Sequence, residues 1–81
     1  MKHYWLRCHH QGRKWVHSYH ANSDREAIDI GAEKMQKLAH QNQAGLSDFE
    51  RRQVDDWHNG IVDVINEVGV VIAEMAVRDD R

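Results

Sequence analysis

Asn59-Gly60-Ile61-Val62-Asp63-Val64-Ile65-Asn66-Glu67-Val68-Gly69-Val70-Val71-Ile72-Ala73-Glu74-Met75 admits two readings. Taken with the residues before it, Val54, Trp57, Ile61, Val64, Val68, Val71 and Met75 recur at alternating spacings of three and four, the apolar pattern of an amphipathic helix. Against a helix stand Gly69 and Gly60, each less favourable than alanine in a helix by about 1 kcal/mol, and Asn59-Gly60 is also a turn signal. The competing reading makes residues 69–77 a strand, on the β-propensity of Val70, Val71 and Ile72. An unbroken heptad is harder to obtain by accident than three β-branched residues, so the spacing predicts a helix over 48–78. Arg51 with Asp55, Arg52 with Asp56, and Glu74 with Arg78 then fall on i,i+4 spacing along its polar side.

A straight helix over 48–78 would be roughly 46 Å long, whereas a compact chain of 81 residues is about 30 Å across. The helix therefore kinks at Gly60 or Gly69, or its seam extends to a second copy of the chain. In the second case Val64, Val68, Val71 and Met75 form a homodimer interface.

Upstream, Ser47-Asp48-Phe49-Glu50 is a capping box with Leu46 at the staple position, and Gln41 to Leu46 is the connector before it. A second box, Ser23-Asp24-Arg25-Glu26, starts a helix over 24–40, with Ile28, Ala32, Met35 and Ala39 at helical spacing and Glu33–Lys37 as an i,i+4 pair. Ahead of it, residues 2–20 mix aromatic, branched and polar residues at strand spacing around Gln11-Gly12, which reads as a hairpin. A two-residue turn there pairs Cys8 with Trp15, Leu6 with His17 and Tyr4 with Tyr19, and puts these six on the core face. Trp5, Arg7, His9, Lys14, Val16, Ser18 and His20 take the other face, and a one-residue slip would exchange the two.

The expected fold is therefore α+β and spans 1–81 as one small domain: an antiparallel hairpin followed by two helices, ββαα. The alternative is ββααβ, with a C-terminal third strand. The expected core is Tyr4, Leu6, Trp15, Ile28, Met35, Leu38, Trp57, Ile61, Val64, Val68 and Val71.

Charge is segregated along the chain. Residues 1–23 hold Lys2, Arg7, Arg13 and Lys14, five of the seven histidines and no acid, while residues 24–81 hold all thirteen acids against seven bases. A single cysteine, Cys8, excludes an intramolecular disulfide. The N-terminus lacks the apolar core of a signal peptide, and the longest apolar run, Val70 to Ala73, is far too short to span a bilayer. These features point to a cytoplasmic protein with no membrane partner.

Candidate chemistry is sparse. His17 and His20 are three apart on a strand and so diverge, and no Cys/His framework of zinc spacing occurs, so neither metal nor cofactor is expected. Cys8 falls on the apolar face, where a thiol is inert. Asp55-Asp56 and Asp79-Asp80 are adjacent and diverge on a helix, and the five glycines are isolated from one another. A non-enzymatic protein is expected.

Two binding surfaces remain. Asp48, Glu50, Asp55, Asp56, Asp63 and Glu67 offer an acidic face to a basic groove on another protein. Alternatively, Trp5, Arg7, Arg13 and Lys14 offer a hairpin to nucleic acid, with the tryptophan stacking on a base. In size and acidity the chain is similar to small inhibitors made by phages and mobile elements, anti-CRISPR proteins among them. That resemblance implies a regulator or inhibitor acting by surface occlusion. The hairpin followed by Ala21-x-Ser23-x-x-Glu26-Ala27-Ile28 also resembles the strand-to-helix passage of integrase arm-binding domains, over about a third of the chain.

Overall fold

The structure, a computed structural model, describes residues 1–8, 15–41 and 43–75, with only the backbone of Gln43 and Met75. The turn expected at Gln11-Gly12, and with it His9, Arg13 and Lys14, lies outside the described residues. Chain order is β1 (Lys2–Cys8), β2 (Val16–Ala21), α1 (Asp24–Ala39), a short 3-10 turn (Gln43–Gly45), α2 (Asp48–His58), β3 (Val62–Asn66) and β4 (Val71–Met75). The four strands form one antiparallel sheet in the order β2-β1-β3-β4.

The fold is thus ββααββ, which corrects both ββαα and ββααβ. The helix expected over 48–78 ends at His58, and the reason is local. Gly60 adopts φ 72°, its N–H donates to the Trp57 carbonyl at 3.0 Å, and the Ile61 N–H reaches the Asp56 carbonyl at 3.2 Å. This is a Schellman stop, closed by a glycine in the left-handed region and followed by an apolar residue. The second glycine, Gly69 at φ 84°, sits in the β3–β4 turn. There Asn66 Oδ1 accepts from the backbone N–H of Val68 at 3.1 Å and of Val70 at 2.9 Å. Two glycines that weaken a helix each close a turn instead.

The expected helical seam dissolves with the helix. Val64 is fully buried beneath the helices, Val68 is 78% exposed in the turn, and Val71 is 43% exposed on the opposite face of the sheet. Met75 ends β4. Val64, Val68 and Val71 share no face and no helix, so the seam expected to carry a dimer is not formed, and Val68 and Val71 leave the expected core.

At the N-terminus the strands pair in the register that the turn implied, Tyr4 opposite Tyr19 and Leu6 opposite His17. Ser23 caps α1 by accepting from Glu26 N, whereas Ser47 and Glu50 form a complete, reciprocal capping box on α2. Both helices pack on one face of the sheet, and the core lies between the layers: Tyr4, Leu6, Cys8, Trp15, Tyr19 and Ala21 from the first hairpin, Val62 and Val64 from the second, Ala27 and Met35 from α1. Ile28, Leu38, Trp57 and Ile61 pack at its margin, half-buried.

Side-chain hydrogen bonds join the layers, three of them from aromatic residues. Tyr4 Oη donates to Asp24 Oδ1 at 2.7 Å, Tyr19 Oη to the Ala27 carbonyl at 2.6 Å, and Trp15 Nε1 to Asp56 Oδ2 at 2.7 Å. Buried hydroxyls and indoles need such partners. Among the described residues no helix is long and apolar enough to cross a membrane.

Candidate functional site

Alternation along the strands gives the sheet a second face, and none of the described helices covers it. The side chains on it come from the odd positions of β1 (His3, Trp5, Arg7) and from the residues paired with them: Val16, Ser18 and His20 on β2, and Asp63 and Ile65 on β3. Register on β4 shifts between Val64 and Ile65, which lets Ile72 turn to the core while Val71 stays opposite Ile65.

The centre of this face is aromatic. The rings of His3 and Trp5 stack at 4.4 Å with 21° between their planes, and His3 also meets His20 at 4.6 Å. The His3 imidazole is hydrogen-bonded to Ser18 Oγ, which ties it to the neighbouring strand. Beside the stack, Arg7 Nε donates to Asp63 Oδ1 at 3.0 Å, with the aspartate side chain only 5% exposed and the arginine 42%. This pair occupies the same register position on adjacent strands, so a carboxylate is accommodated in a central strand by a guanidinium laid across it. Val16 and Val71 flank the aromatic patch as exposed apolar side chains.

Charge on the face is low. Its one described guanidinium is paired, Glu74 stands opposite Asp63 on β4, and Glu67 accepts from the His3 backbone N–H at its margin. Among the described residues the face is an aromatic and branched surface with a neutral to slightly acidic field.

The six acids expected to form one surface lie in different environments. Asp48 and Asp55 are exposed on α2, Glu50 closes its cap, and Asp56 is buried against Trp15. Asp63 belongs to the other side of the molecule, and Glu67 to the β3–β4 turn. Hydrogen bonds from Ser47 hold the Glu50 carboxyl below the ordinary carboxylate range, chiefly the backbone N–H and then the hydroxyl. Of the residues expected for nucleic acid, Trp5 and Arg7 are neighbours on the uncovered face, while Arg13 and Lys14 lie outside the described residues. Cys8 is a buried core thiol. Among the described residues no three His, Cys, Asp or Glu side chains converge as a metal site requires.

His3 belongs to the site by the same alternation that places Trp5, and β1 alone suffices to find it. Ile65 and Val71 were hidden by the helical periodicity of the C-terminal third. No protein-family model, curated protein or solved structure matches the chain.

Proposed function

We propose that this protein is a non-enzymatic protein-binding module, a small regulator or inhibitor that acts by covering a surface of its partner with the uncovered face of its sheet. The observation that carries this reading is the His3–Trp5 stack at the centre of that face. Partly exposed tryptophan stacked on a neighbour has few rotamers to lose on binding and supplies a large apolar area, the usual character of an interface hot spot. Val16 and Val71 extend the apolar area, and the paired Arg7 and Asp63 add polar specificity without an unbalanced charge.

Nucleic acid is the second reading. It is favoured by one feature: most acids of α1 and α2 lie in the layer behind the sheet, away from Trp5. The low charge of the described face weighs against a polyanion, which needs several free cations.

One experiment addresses both. A photo-crosslinking amino acid placed at Val16 or at Arg52, on opposite layers, is expected to capture a protein partner in the native host from position 16. The purified partner should then lose at least tenfold in affinity to Trp5→Ala, about 1.4 kcal/mol. Capture only from position 52, or equal affinity of the Trp5 variant, would overturn the reading. Salt-sensitive binding of single-stranded DNA or RNA that is lost in Trp5→Ala would replace it with the second one.

A further inference from the structure

On the helical side of the molecule a groove of about 430 Å³ runs between α1, α2 and the edge strand β2. Its volume is within the range of small-molecule sites. One wall is apolar, formed by Met35, Leu38 and the half-exposed ring of Phe49. Lys34 and Lys37 line the same groove from α1, and their i,i+3 spacing makes them neighbours on one helix face.

The inner surface is polar. Gln53 is 1% exposed, and its amide nitrogen is hydrogen-bonded to His17 Nε2. The His17 ring meets Phe49 edge-on at 6.4 Å. Helix packing alone would favour leucine at position 53, since a buried amide adds hydrogen-bonding demands that an apolar side chain does not.

The charges in the groove favour an anion. Lys34 makes no ion pair among the described residues; its ammonium lies 6.0 Å from the centre of the Tyr19 ring. Lys37 contacts Glu33 at 3.2 Å, but both side chains are largely exposed, so that pair is weak and readily exchanged. Among the described residues lining the groove the one carboxylate is Glu50, which accepts from the Ser47 backbone N–H at 2.9 Å in the α2 cap.

We infer that this groove binds a small aromatic anion, with its ring against Phe49 and His17 and its carboxylate or phosphate between Lys34 and Lys37. The site is on the opposite side of the sheet from Trp5 and is independent of the proposed protein-binding face.

Titration of the isotopically labelled protein, followed by amide NMR shifts, tests the inference with phenyl phosphate, phenylacetate, inorganic phosphate and benzyl alcohol. At least one of the two aromatic anions should give saturable shifts at residues 34–38 and 49–53, and the tighter of them identifies the preferred oxyanion. Lys34→Ala combined with Lys37→Ala should weaken that binding about tenfold, as should Phe49→Ala. All three positions are exposed enough for the variants to fold, and Trp5→Ala should bind the probe as wild type does. Absence of saturable shifts with both aromatic anions would overturn the inference, as would equal binding of inorganic phosphate or benzyl alcohol, or a lysine variant that binds unchanged.

Discussion

Trp15 Nε1 donates to Asp56 Oδ2 at 2.7 Å inside the core, joining the residue that leads into β2 to α2 across forty-one positions of the chain. A buried carboxylate on a helix of so small a protein is tolerable because it is hydrogen-bonded. Asp56→Ala leaves the indole N–H without this acceptor and should destabilise the protein by about 1–3 kcal/mol. Chemical denaturation measures the change, and a loss below a few tenths of a kcal/mol would show that the contact is dispensable.

Gly60 offers a test in which the sign alone is informative. In a continuous helix, Gly60→Ala would stabilise by about 1 kcal/mol. With Gly60 at φ 72°, an alanine Cβ is strained whatever space surrounds it, and the same change should destabilise by about 1 kcal/mol. A raised melting temperature for Gly60→Ala would contradict the Schellman stop.

Two tyrosines set the alkaline limit. The hydrogen bond to Asp24, aided by burial, pushes the Tyr4 hydroxyl up to about 12, and burial, aided by Tyr4 itself, does the same for Tyr19. Both folded values lie above the ordinary value of 10.0. The stabilisation is therefore complete below pH 10 and lost as pH rises towards 12. Tyrosinate absorbance should appear together with loss of far-ultraviolet circular dichroism, and Tyr19→Phe should lessen the pH dependence. Free titration of both phenols near pH 10 in a fully folded protein would refute this.

The α2 cap makes the opposite prediction at low pH. Because Ser47 holds Glu50 below its ordinary range, the contribution of this carboxylate is present above its unfolded pKa and is lost as pH falls through the lower folded value. Ser47→Ala should cost about 1 kcal/mol at neutral pH, and Glu50→Gln should narrow the gap between neutral and acidic stability. Parallel denaturation curves for wild type and Glu50→Gln across this range would dismiss the effect.

The N-terminal half was legible because its elements are local and one-sided. Strand β1 buries every second residue, so the period of two survives in the sequence, and Ser23 and Ser47 mark their helices by capping chemistry that acts over three residues. Strand β3 lacks such a signature. Val62, Asp63, Val64 and Ile65 are buried in succession because the helices cover one side while the Arg7 pair and the aromatic face cover the other. With alternation erased, the three-and-four spacing that was genuine at Val54 and Trp57 ran on by coincidence through Ile61 and Val64. The informative signals were Asn59-Gly60 before an apolar residue and the turn chemistry of Asn66 and Gly69. The groove was illegible for a different reason: Lys34, Gln53 and His17 meet only after three separate elements have packed.

The position of β3 between β1 and β4 has a consequence for how the molecule comes into being. Tyr4 and Leu6 are made about sixty residues before the strand that hydrogen-bonds along the free edge of β1, with Tyr4 opposite Asn66 and Leu6 opposite Val64. Until then the nascent chain exposes a central strand as though it were an edge, a state prone to pairing with other chains. Commitment to the native state must wait for this distant annealing, so folding is governed by the synthesis of residues 62–66. Protease protection of Leu6 in nascent chains of increasing length should accordingly appear in one late step, and protection established before residue 62 leaves the exit tunnel would contradict that order.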